Sequence, residues 1–219
     1  HSRLRLVRAI KNRYGACDEV GCFDLGEQGI VGLADPSGLF LTRRHEAVPG
    51  TCVTVALEGR RPMVAEVQSL VARSTLATPR RSTSGLDNAR VSMVLAVAER
   101  RAQVTLAGAD IFVATVGGVR LTEPAGDLAV ALAIASAASD RPLPAGLVAV
   151  GEVGLAGEVR RVDGVERRLA EAARLGFTHA FVPSGSGRVP EGMRITEVDD
   201  LRHAIAGAFR GVVIPLKRH

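Results

Sequence analysis

The stretch Asp127–Ser139, DLAVALAIASAAS, carries apolar residues almost without interruption. A surface helix needs one apolar stripe, whereas a helix apolar nearly all round must be enclosed by other elements on most sides. The run contains Ser136 and falls short of the roughly 20 residues that span a bilayer, so it predicts the centre of a folded core. The rest of the chain has to supply layers around it.

Those layers are legible as alternating strands and helices. Met63–Val71 and Asp110–Val116 predict strands, with a polar loop at Pro79–Gly85 and a helix over Leu86–Arg101, striped by Met93, Val94, Val97 and Ala98. Leu147–Val153 and Glu158–Val162 predict strands joined by a glycine-rich turn. Val165–Leu175 predicts an amphipathic helix stopped by Gly176. His179–Val182 and Ile195–Val198 predict strands, separated by a loop at Ser184–Pro190, and Asp200–Phe209 a last helix. Before Arg61 the pattern is short and β-rich, at Arg3–Ile10, Leu39–Thr42 and Thr51–Leu57, without long helices. The fold class this implies is α+β, a mixed α/β arrangement with helices packed on a mixed sheet. At 219 residues, length and apolar content suffice for one domain and an appendage.

Charge and chemistry narrow the function. Of 28 basic residues 26 are Arg, and the net charge is +5. Guanidinium forks match phosphate oxygens, which points to nucleic acid, although base composition would produce the same excess. Cys17, Cys22 and Cys52 have no metal-finger spacing, so neither a disulfide framework nor a zinc site is expected, and a reducing cytoplasmic setting is. No signal peptide or membrane span is read. No Gly-x-x-x-x-Gly-Lys-Ser/Thr loop is present, and Gly151, Gly154 and Gly157 read as a tight connection. The two lysines, Lys11 and Lys217, are poor candidates for a buried peptidase base, and His45, His179 and His203 read as surface or loop residues. Glu152 and Glu158 read as solvated strand residues rather than an acid/base pair.

Two stretches carry a resemblance: Lys11–Gly15, KNRYG, leading towards Glu27-Gln28-Gly29, and the long segment Leu121–Phe177. Together they resemble the bacterial RadA (Sms) family of DNA recombination and repair proteins. The resemblance implies a ring-forming, DNA-dependent ATPase acting in branch migration. It implies residues 1–58 as the edge of a RecA-like ATPase domain and residues 59–219 as a Lon-protease-like domain. ATP and Mg would then bind mostly outside these residues, zinc would belong only to an N-terminal finger that the chain does not contain, and no cofactor is expected within it. In the KNRYG motif (Lys11, Asn12, Arg13, Tyr14, Gly15), Lys11 and Arg13 would reach the nucleotide of a neighbouring subunit, stabilising charge on the transferring phosphoryl group. The implied partners are single-stranded or branched DNA, the recombinase RecA and further copies in a homo-hexamer; no membrane is expected.

Active Lon enzymes place a serine in a Pro-Ser-Ala-Gly stretch and a lysine in a Gly-Gly-Leu/Val-Lys stretch. Pro124-Ala125-Gly126-Asp127 puts Ala125 at the serine, and Asp163-Gly164-Val165-Glu166 puts Glu166 at the lysine. The resemblance therefore implies a scaffold without peptidase activity. For DNA contacts the first expectation is Arg80, Arg81 and Arg90, followed by Arg160, Arg161, Arg167 and Arg168. Two other readings stay open: a peptidase with another dyad, using Ser92, Ser136 or Ser139, and a protein-docking module that binds no DNA.

Overall fold

In the computed structural model the described residues are 4–8, 20–26, 29–33, 41 and 47–210. The KNRYG motif, Glu27, Gln28, Cys17, His45 and most of Leu39–Thr42 lie outside them. Leu4–Arg8 (β1), Val20–Gly26 (β2) and Gly29–Leu33 (β3) form an antiparallel three-stranded sheet.

The larger sheet has seven strands. They are Thr51–Glu58 (β4), Arg61–Arg73 (β5), Arg81–Ser84 (β6), Ala109–Thr115 (β7), Leu147–Ala149 (β8), His179–Pro183 (β11) and Arg194–Val198 (β12), in the order β12-β11-β8-β4-β5-β7-β6. Glu152–Val153 (β9) and Val159–Arg160 (β10) make a separate small hairpin. The sheet is mixed: β12, β11, β8 and β4 run parallel, β5 is antiparallel to both β4 and β7, and β6 is parallel to β7.

Strand alternation sends side chains into two cores. Cys52, Ala65, Val67, Ile111, Val113, Leu147, Ala149 and Phe181 meet the helices Asn88–Ala102 (α1), Asp127–Ser139 (α2) and Leu201–Ala208 (α4) on one face. Val55, Val64, Val148, Val150, Ala180 and Val182 meet Val165–Arg174 (α3) on the other. Helix α2 is the centre predicted for it: Asp127 through Ser136 are all buried between the sheet, α1 and α4. Its alanines let the neighbouring elements approach closely at native packing density.

Three sequence expectations change. Pro79–Gly85 is not wholly loop, because Arg81–Ser84 pairs with β7 as an edge strand, a tertiary pairing that its polar composition concealed. Leu147–Val153 is broken at Val150-Gly151 into strands of two different sheets. The division after Glu58 falls inside a hairpin whose register runs from Thr51↔Gln68 to Glu58↔Arg61, and β4 is an interior strand of the large sheet. The folded unit therefore includes Gly50, whose amide donates to the buried Ser136 Oγ at 2.9 Å.

Gly50 has φ +84°, and a Cβ there would lie 2.1 Å from the Ser69 carbonyl oxygen. Gly50→Ala is expected to cost about 2–4 kcal/mol in urea unfolding, combining left-handed strain with a backbone clash. A loss under about 1 kcal/mol would mean that this corner relaxes freely.

Candidate functional site

The two peptidase positions have unrelated environments. Ala125 lies in a single 3-10 turn, Pro124–Gly126, that feeds α2; it is 1 % exposed, and its carbonyl accepts the Gly151 amide at 2.9 Å. Glu166, in the first turn of α3, is exposed, and its Oε1 accepts the Arg188 amide at 3.0 Å, holding the loop after β11. The first has no nucleophile and the second is a loop tie. Ser136 is committed to the Gly50 amide and the Arg141 carbonyl, and Ser139 to the Ala135 carbonyl, while Ser92 is exposed on α1. No lysine falls among the described residues.

His179 corrects the expectation of a surface or loop histidine. It is buried on β11 with its ring 4.9 Å from that of Phe181. Arg194 Nη2 donates to Nδ1 at 3.1 Å, so Nε2 carries the proton and donates to Thr196 Oγ1 at 2.8 Å. Burial first, and then the Arg194 charge, hold this imidazole below its ordinary range. It is a neutral pin between adjacent strands. His203 is exposed at the start of α4.

The arginines fall into two kinds. Arg168 is 1 % exposed: Nη1 donates to the Val55 carbonyl at 2.6 Å and to Glu123 Oε1 at 2.5 Å, Nη2 to Glu123 Oε2 at 2.7 Å, and Nε to the Asp163 carbonyl at 2.9 Å. Arg90 grips Asp127 through Nε and Nη2, at 2.9 and 2.6 Å, and reaches Glu152 at 3.3 Å. Both were expected to contact DNA: Arg168 is instead enclosed as an internal fastener, while Arg90 keeps 30 % of its side chain exposed and is held by Asp127 and Glu152. The reason is the partners: Glu123 and Asp127 are long-range neighbours that no local pattern pairs with them.

Arg80 and Arg81 are exposed at the sheet edge, and Arg167 is exposed on α3; the Arg80 amide donates to Asp110 Oδ1 at 2.7 Å, and that bond, with the nearby Arg80 charge, holds the Asp110 carboxyl below its ordinary range. Arg160 pairs with Glu158 and lies 3.9 Å from Glu152, while Arg161 Nη1 donates to the Gly185 carbonyl at 2.8 Å. Glu152 and Glu158 are thus members of an ion-pair chain with Arg90 and Arg160. Gly154 and Gly157 form the tight β9–β10 turn, as their spacing predicts. The sheet order separates β6 from β11 by five strand spacings, about 24 Å, so Arg80 and Arg81 lie well apart from the Arg161 group.

No set of three or more His, Cys, Asp and Glu side chains among the described residues could hold a metal ion. Cys22 and Cys52 are buried free thiols, and burial pushes both above the usual thiol range, which suits packing rather than reactivity. No helix among the described residues is long and apolar enough to cross a membrane.

A mixed sheet with helices on both faces, a buried alanine before its central helix and exposed arginines at its edge define an α/β module. Residues 68–186 match the family described as subunit ChlI of Mg-chelatase. A DNA repair protein RadA of Mycolicibacterium smegmatis is 54% identical over 204 residues, covering 93% of this chain and 44% of that protein. The proteins of the same name from Pseudomonas aeruginosa and Escherichia coli are 46% and 45% identical, over 94% of this chain and 46% and 45% of their own lengths. The chain belongs to the DNA repair protein RadA family, with a ChlI-type domain over residues 68–186. It spans less than half the length of each of these relatives.

Proposed function

We propose that the chain is the DNA-binding, peptidase-inactive scaffold portion of a RadA-type DNA repair ATPase. The observation that carries this reading is the set of exposed arginines, Arg80, Arg81 and Arg167, of which, among the described residues, Arg80 alone faces a carboxylate, Asp110, together with a peptidase position filled by a buried alanine. Such arginines contact phosphates with little base preference and steep salt dependence. The relatives named DNA repair protein RadA support the repair context. In the whole protein the chain would act in branch migration on single-stranded or branched DNA, as a Lon-like hexamerisation scaffold alongside RecA. Lys11 and Arg13 would serve ATP and Mg bound chiefly by a neighbouring subunit.

Fluorescence anisotropy with a single-stranded oligonucleotide at several salt concentrations tests the reading. Arg80→Ala/Arg81→Ala is expected to weaken binding and to make the slope of log affinity against log salt shallower by about 1.4, at roughly 0.7 per lost phosphate contact. An unchanged affinity and slope removes the edge pair from the interface. A wild-type chain that binds no DNA at low salt favours the docking-module reading instead.

A further inference from the structure

Arg101 lies in the last turn of α1 and Arg202 in the first turn of α4, and the packing of these helices brings both to one cleft. The cleft holds about 330 Å3 and is also lined by Ala156, Gly157, Asp200 and His203. Arg202 donates from Nε and Nη2 to the Arg101 backbone carbonyl, at 3.3 and 3.1 Å. That carbonyl is one of those a helix end leaves without an internal partner, so the bond fixes the Arg202 guanidinium in place. The Arg101 guanidinium has no acceptor among the described residues.

The one carboxylate in the lining, Asp200, is engaged with its own helix start. Asp200 caps α4, its Oδ1 accepting the His203 amide at 2.8 Å and its Oδ2 facing His203 Nδ1 at 2.5 Å. The lining therefore carries two arginines against one aspartate, and an oxyanion bound beside the arginines is favoured by that excess of positive charge. A second feature sits on the rim. Leu155, in the β9–β10 turn beside Ala156 and Gly157, is 70 % exposed. An apolar side chain held out to solvent next to cations serves no free inorganic ion, but it suits a nucleic acid, whose bases accept apolar wedges beside charged phosphates.

We infer that this cleft binds a phosphate of a nucleic-acid strand, with Arg101 and Arg202 on the oxyanion and Leu155 against the adjoining sugar or base. The inference rests on the DNA-binding reading above and adds a contact region that the sequence did not single out. It lies at the junction of α1, α4 and the small hairpin, whereas Arg80 and Arg81 lie at the β6 edge.

The test is anisotropy of a fluorescent single-stranded oligonucleotide, with inorganic phosphate as competitor, on the wild-type chain, Arg101→Ala, Arg202→Gln, Leu155→Ala and the Arg80→Ala/Arg81→Ala reference. Arg101→Ala carries the weight, because its side chain holds no partner and its removal leaves the fold intact; thermal midpoints check this for every variant. Arg101→Ala and Arg202→Gln are each expected to weaken binding and to make the salt slope shallower by about 0.7. Leu155→Ala is expected to weaken binding with the slope unchanged. Wild-type affinity and slope in Arg101→Ala, while the edge double variant is impaired, would overturn the cleft and spare the DNA reading. Absence of DNA binding by the wild type would overturn both. Strong competition by millimolar phosphate, equal in wild type and Leu155→Ala, with no effect of Leu155→Ala on DNA, would make the occupant a free phosphate and overturn the nucleic-acid assignment.

Discussion

Replacing Arg168 by Ala is expected to cost about 3–5 kcal/mol in chemical unfolding, the usual penalty for stripping one partner from a buried ion pair. The guanidinium is enclosed and serves four acceptors on three parts of the chain: the β4 carbonyl of Val55, the carbonyl of Asp163 and both oxygens of Glu123. Glu123 Oε1 also accepts the Leu57 amide at 2.7 Å, so the pair ties β4, the segment before α2 and the start of α3 together. Without Arg168, Glu123 keeps its charge in a half-buried position with one amide donor. Arg168→Lys is expected to fall nearly as far, since one ammonium cannot reproduce a planar fork reaching acceptors in several directions. Arg168→Met with Glu123→Gln is expected to recover much of the loss, because no buried charge is then stranded and the Leu57 amide keeps its acceptor. A single-variant loss below about 1 kcal/mol would show that the pair is dispensable. DNA affinity of folded Arg168→Met/Glu123→Gln is expected to match wild type, which separates this residue from the phosphate contacts.

Arg90→Ala carries the second large effect, about 3 kcal/mol at neutral pH, with a pH dependence that identifies its cause. Asp127 is buried at the start of α2, and burial, opposed by the Arg90 hydrogen bonds, raises its carboxyl above the ordinary range. A carboxyl raised by folding favours the folded state at pH below its unfolded value, and that contribution is lost as pH climbs through the raised folded value. Removing Arg90 takes away the strongest opposing influence and lifts the carboxyl further. The stability gap between Arg90→Ala and wild type is therefore expected to be widest near neutrality and to narrow as pH falls through the carboxylate range and Asp127 takes up a proton. Arg90→Ala/Asp127→Asn is expected to show a smaller, pH-flat gap, because the amide oxygen still accepts the Val153 amide that Asp127 Oδ2 receives at 3.1 Å. A gap independent of pH in the single variant would mean that Asp127 does not carry the cost.

The periodic elements were the readable part of the fold. The Val165–Leu175 stripe gives α3, and the glycine expected to stop it, Gly176, has φ +88°, a conformation open to a residue without Cβ. Asp127–Ser139 gives α2 at both ends because no register of that composition leaves a face for water. The β6 strand was hidden, since Arg-Ser-Thr-Ser is polar and becomes a strand only because β7 offers it an open edge. The break at Gly151 was hidden for a related reason. A Cβ at Gly151 would meet Val159 at 2.9 Å and Pro183 at 3.3 Å, crowding set by residues distant in sequence.

At the candidate site, the absence of a serine at position 125 and of a lysine at position 166 was readable residue by residue. Which arginines face solvent was not. Arg167 and Arg168 are neighbours on one helix, about 100° apart around its axis, so one is exposed and the other lies in the core beneath it. Arg80, Arg81 and Arg90 read as one basic group, yet Arg90 turns inward to an aspartate 37 positions away. Asp127 held the available signal, a lone acid opening an otherwise apolar helix, where a buried carboxylate demands a cation.

By itself the sequence determined the helical and strand periods, the enclosure of α2 and the lack of a Ser/Lys pair at the peptidase positions, because these follow from residue identity and local spacing. Only the tertiary structure decided that β4 lies inside the large sheet, that Arg90 and Arg168 are fasteners, and that Arg101 and Arg202 share a cleft. Charge is a property of a residue, but whether it is free to meet a phosphate depends on which carboxylate the fold brings beside it.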